Sequence, residues 1–139
     1  MALRIVRLGA PRAKDEGTRI GTVRRPPRGV PKAQHASQDW YDVWYPSLAP
    51  DAETVKLAQA AQSPALSPAE SDARWAAFVR RYRAEMARPD NARSLDLLAA
   101  LSRHANFSVG CYCEDESRCH RSVLRELLRE RGALIREAP

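Results

Sequence analysis

Long apolar runs are missing from this chain of 139 residues. Its start lacks the basic region, apolar stretch and small-residue cleavage site of a signal peptide. Neither a membrane span nor export is expected, and the anticipated setting is the cytoplasm. Cysteine is scarce, with three residues. An odd number without a secretory context points to reduced thiols rather than a disulfide framework. Lysine is nearly absent beside arginine, and with the many alanines this reads as GC-rich coding bias as readily as selection for phosphate. No internal repeat or low-complexity tract appears. The length suits one domain with one hydrophobic core.

What is present is unevenly placed. The net charge is +6, and residues 1–32 carry nine Lys and Arg against Asp15 and Glu16, leaving the remainder close to neutral. A basic N-terminal third suits phosphate, on nucleic acid or on a small ligand. Four of the nine aromatic residues, Trp40, Tyr41, Trp44 and Tyr45, fall in an irregular, proline-rich stretch at 24–50. Basic groups interleaved with aromatics suit single-stranded nucleic acid. Trp40 and Trp44, four apart, equally suit one helical turn packed on a sheet, and packing is the reading favoured for them.

Residues 106–122, NFSVGCYCEDESRCHRS, hold all three cysteines. Phe107, Val109, Cys111 and Cys113 alternate with Ser108, Gly110 and Tyr112, which predicts a strand over 107–113. Val123, Leu124, Leu127 and Leu128 recur at helical spacing after Cys119, and Gly132 stands where a helix C-cap belongs. A strand, a short loop and a helix place Cys119, His120, Arg121 and Ser122 on a helix start. There free N–H groups, a guanidinium and a hydroxyl suit an anion, and the helix field lowers a thiol pKa. Plain core packing competes for Cys111 and Cys113, which share a face with Phe107 and Val109.

Cys111, Cys113, Cys119 and His120 also form a C-x-C-x5-C-H set, four potential zinc ligands. The spacing does not favour zinc: C-x-C points two thiols along one strand face, and adjacent Cys119 and His120 diverge on a helix. A phosphatase-type loop is excluded, because the cysteine and arginine six apart, Cys119 and Arg125, both fall in the helix.

Elsewhere, apolar runs predict strands at 3–9 and 19–23. Helices are expected over 50–61, from the Ser67-Pro68-Ala69-Glu70 capping box to Pro89, over 91–104 with His104 at its negative end, and after Cys119. Ala133, Leu134 and Ile135 suit a short edge strand. The fold class is α/β: a small, mainly parallel sheet covered by helices on both faces.

These segments resemble the domain-of-unknown-function 488 (YeaO-like) family, whose members run a strand into a Cys-His-Arg-Ser helix start. Arg24, Pro27, Arg28, Gly29 and Val30 match the family's Asp-Arg-Leu-Trp-Pro-Arg-Gly-Val. The stretch from Trp44 to Pro50 resembles its Leu-Ala-Pro segment, and Trp75, Phe78 and Tyr82 resemble its Trp-x-x-Phe-x-x-x-Tyr helix. The family's Asp and Trp are replaced here by Val23 and Pro26, so any role of that Asp is absent or reassigned. The resemblance spans roughly residues 4–132 and names no reaction. The expectation is an anion pocket formed by the Cys119 to Ser122 turn and faced by Arg24 and Arg28, with Cys119 and His120 as catalytic candidates and Arg121 and Ser122 as ligand contacts. The competing expectations are a nucleic-acid module and a thiol or zinc site at Cys111, Cys113, Cys119 and His120.

Overall fold

The computed structural model describes residues 1–137. Four parallel strands, β1 (Leu3–Arg7), β2 (Thr18–Gly21), β3 (Val43–Trp44) and β4 (Phe107–Cys111), form one sheet in the order β1-β4-β2-β3. Leu3 registers on Phe107, Ile20 on Val109 and Gly21 on Trp44. Ile135 adds a parallel bridge to Leu3, which is all that forms of the expected edge strand. β4 is interior, and each of its five residues is buried. Gly110 has to be glycine, because a Cβ there would lie 2.6 Å from the Val6 carbonyl oxygen of the neighbouring strand.

The four helices are α1 (Ala52–Ala61), α2 (Pro68–Met86), α3 (Pro89–Leu101) and α4 (His120–Glu130). Ser67 caps α2 by accepting from the Glu70 N–H, with Pro68 at the first helical position. Pro89 both stops α2 and opens α3, since a missing N–H costs nothing in a first turn. Phe78, Tyr82 and Met86 of α2, Leu95 and Leu98 of α3, and Val123, Leu124, Leu127 and Leu128 of α4 close over Leu3, Phe107 and Val109. Leu57 and Ala58 of α1 pack against the same cluster.

Helices therefore cover one face and not both as expected: cover on the other is mostly irregular chain, with a 3₁₀ turn at Lys32–Gln34. Residues 8–17 join β1 to β2, and so short a connection cannot hold a crossover helix. Polar pairing does the work instead. Arg19, fully buried, donates to both carboxylate oxygens of Glu16 at 2.7 and 3.0 Å and to the carbonyls of Ala10 and Asp39. The Ser108 hydroxyl of β4 completes the Glu16 carboxylate at 2.7 Å.

Two local expectations change. The last residue of β4 in the ladder is Cys111, which pairs with Arg7, so Tyr112 and Cys113 lie past the sheet. Trp40 and Trp44 share no helical turn: Trp44 belongs to β3, 43% exposed, with its indole N–H on the Val23 carbonyl.

Candidate functional site

Cys111 is carried by the end of β4, and Cys119 is the N-cap of α4. Because an N-cap residue has extended backbone (φ −127°, ψ 151°), the Cys119 side chain is not on the helix surface and can meet that of His120. This is why the divergence expected of two adjacent helical residues does not occur. The Cys111 and Cys119 sulfurs and a His120 ring nitrogen all lie within 4.8 Å of one another. Cys111 and Cys119 are buried, while Cys113 is exposed.

His120 has a defined orientation. Its Nε2 sits 2.8 Å from the Thr22 carbonyl oxygen, so that nitrogen carries the proton and donates. Nδ1 is left as a lone pair 3.9 Å from the Cys119 sulfur. The Thr22 hydroxyl donates to the Gly110 carbonyl at 3.0 Å, tying this support to β4. Tyr82 closes the ring's other side edge to face at 5.6 Å. Burial pushes the His120 imidazolium down to about 4, so the ring is neutral near pH 7.

The three thiols influence one another. Contact with Cys113 and Cys119, reinforced by burial, pushes the Cys111 thiol far up. Cys111 pulls the Cys119 thiol down, but Cys113 and burial outweigh it and leave Cys119 raised to about 11. Cys113 moves the other way: its contact with Cys111 and Cys119 favours the thiolate against the cost of burial, with the Arg121 charge adding to the effect. Cys113 is also the one sulfur of the three that solvent reaches.

Arg121 is 4% exposed. One Nη donates to the Cys113 carbonyl, and the buried Nε has no hydrogen-bond partner. Among the described residues no carboxylate pairs with it. The acids that could have done so are occupied, with Glu116 held by Arg125 at 2.7 Å and Asp115 capping the Ser117 N–H. Ser122 spends its hydroxyl on the Cys119 carbonyl, 2.9 Å away.

Arg24 and Arg28 do not converge on this turn. Arg24 lines a cavity of about 530 Å³ beside the start of α3, with Asp51 and Arg88. Arg28 lines a larger cleft of about 1140 Å³ with Arg7, Arg25, Trp40 and Tyr112. Cys113 opens into a third cavity, about 620 Å³, bounded by Gln62, Ser63, Asp115 and Arg118. The physical reason is position: residues 25–28 line a cleft with Tyr112, whose hydroxyl is tied to the Arg25 carbonyl at 2.8 Å.

Sequence reasoning missed Thr22, which fixes the imidazole, and nothing around that residue signals the role. It also weighted Cys119 over Cys113. The polar residues after Cys113 were the available sign that its thiol would reach solvent.

The fold class is a small α/β protein whose parallel sheet has a thiol and imidazole cluster at the end of its interior strand, the edge where such sheets usually bind ligands. Within that class the chain belongs to the DUF488 family: the family model DUF488-N3a, described as the active DUF488-N3 subclade, matches residues 3–132. Comparison with curated proteins and with solved structures gives no match. No helix among the described residues is long and apolar enough to cross a membrane.

Proposed function

We propose that this protein is an enzyme of the cytoplasm that uses Cys113 as a thiol nucleophile on an anionic substrate. The carrying observation is Arg121: a buried guanidinium without a carboxylate, beside the one exposed thiol of a three-sulfur cluster. An uncompensated buried charge is costly, so it is retained where an anion sits, either the thiolate or the charged group of a ligand. His120 and Cys119 act as positioning residues in this reading, holding the cluster through Thr22 and the helix cap. Ser122 is a cap, not a ligand contact. The subclade's description as active fits an enzyme.

The test is alkylation with iodoacetamide, mapped by mass spectrometry. Cys113 should label first, phosphate or sulfate should protect it, and Arg121→Met should abolish the protection. Labelling of Cys113 that responds to neither the anion nor the Arg121 change would remove the reading.

The grouping of Cys111, Cys119 and the His120 lone pair favours a second reading, a zinc site with Cys113 as fourth ligand. A ligating histidine commonly donates its other ring N–H to a carbonyl, as His120 does to Thr22. Zinc bound there would hold the β4 end to α4. Stoichiometric zinc in purified protein, lost in Cys111→Ser, would replace the nucleophile reading with this one.

A further inference from the structure

The basic N-terminal third neutralises itself only in part. Arg4 pairs with Asp15 at 2.7 Å, Arg12 with Asp39 and Asp42, and Arg19 with Glu16. Lys14, Arg24, Arg25, Arg28 and Lys32 are exposed and have no ion-pair partner among the described residues, and of these Arg25 and Arg28 lie together. Both line the cleft of about 1140 Å³, which has no carboxylate in its lining. Arg7, the third cation there, is tethered to the Tyr112 carbonyl and more loosely, at 3.4 Å, to Glu114.

The rest of the lining includes two aromatic rings, each held in place. Trp40 and Tyr112 meet edge to face at 5.9 Å and 77°. The Trp40 ring lies over Gly9, a residue at φ 91° where a Cβ would come within 2.9 Å of the indole. Its N–H is held by Gln38 at 3.3 Å, and the Tyr112 hydroxyl anchors the second ring to the Arg25 backbone. The aromatic wall is thus ordered before any ligand arrives, which lowers the entropy lost on binding. The volume is at or above the upper end of the usual range for small-molecule sites.

We propose that this cleft binds a nucleoside phosphate unit, with the base in the corner that the Trp40 and Tyr112 rings make, flat on one ring and edge-on to the other, and the phosphate between Arg25 and Arg28. An inorganic anion would leave the aromatic wall unused, and an acidic peptide would lack the flat ring that the wall fits. The same unit occurs in a free nucleotide and in single-stranded nucleic acid. The inference stands apart from the thiol reading, because Cys113 opens into a different cavity.

Isothermal titration calorimetry on the whole chain tests it, using adenosine monophosphate, adenosine, inorganic phosphate, a short single-stranded oligonucleotide and a glutamate-rich peptide. The mononucleotide should bind on the order of tenfold more tightly than phosphate or adenosine alone. Arg25→Ala with Arg28→Ala should remove the phosphate contribution, and Trp40→Ala the base contribution. The arginines are exposed, so the double variant is expected to fold, which circular dichroism checks. Cys113→Ser should bind like wild type whatever becomes of the thiol chemistry. Affinity that grows with strand length and weakens with salt assigns the unit to a nucleic-acid strand, whereas equal affinity for mononucleotide and strand assigns it to a free nucleotide. Phosphate or the peptide binding as tightly as the mononucleotide, unchanged affinity in the double arginine variant, or no heat with any nucleotide overturns the proposal.

Discussion

Two arginines are buried in this protein, and they are buried in opposite ways. Arg19 spends its guanidinium on the Glu16 carboxylate and two carbonyls, and Ser108 finishes the carboxylate, so the charge is compensated inside the fold. Arg121 has one carbonyl and an unpartnered Nε. The first arrangement is what a scaffold requires of a buried charge. The second leaves the charge without a protein carboxylate, beside the thiols. Under the proposed function, the way a buried charge is satisfied separates scaffold from site more sharply than residue type does.

The comparison breaks first at Glu16. Glu16→Ala should destabilise the protein by about 3–5 kcal/mol, since it strands Arg19 without a counter-charge. Urea unfolding measures this, and a loss below about 1 kcal/mol would mean that the two carbonyls suffice for Arg19. The same pair sets an acid limb. Burial pushes the Glu16 carboxyl up, but Arg19, Ser108 and the Ala13 N–H outweigh it and hold the group below its ordinary 4.5. Its folded pKa is therefore depressed, so its contribution is present above about pH 4.5 and is lost as the pH falls through the folded value. Wild-type stability should drop across that window, and Glu16→Gln should flatten the drop.

Arg121→Met sharpens the contrast from the other side. Replacing an unpaired buried charge by an apolar stem should change stability by less than about 1 kcal/mol, or raise it. Cys113 alkylation at pH 7 should nevertheless slow by on the order of tenfold as the thiolate loses its neighbouring charge. Thermal unfolding and labelling rates on one sample decide it; a large fall in melting temperature with unchanged labelling would make Arg121 scaffold like Arg19. The smallest expected effect is at Ser122. Ser122→Ala should cost about 1 kcal/mol or less, through the lost bond to the Cys119 carbonyl, and leave labelling and anion protection untouched.

Much of the frame was legible because it rests on local patterns. The alternation through Val109, the Ser67 to Glu70 cap and the Leu124, Leu127 and Leu128 stripe each encode an element in neighbouring residues. The strand ends were less legible. Nothing in Cys111-Tyr112-Cys113 says where the ladder stops, since that depends on Arg7 of β1 having no successor in the pairing. β3 was hidden for a related reason: two residues carry no period, and their pairing with Ile20 and Gly21 exists only once β2 is in place.

The candidate site divides along the same line. The sequence alone brought Cys119, His120, Arg121 and Ser122 to a helix start after a strand, because chain neighbours stay together in any fold. It also placed the thiols near that start, since a short loop limits how far Cys113 and Cys119 can separate. Which sulfur meets solvent, which ring nitrogen of His120 is free, and which arginines face which cavity were decided only by tertiary structure. Each depends on contacts across long separations: Thr22 with His120, Arg25 with Tyr112, Arg125 drawing Glu116 away from Arg121. Such contacts leave no periodic trace, because they depend on where the packed elements bring distant residues together rather than on local spacing.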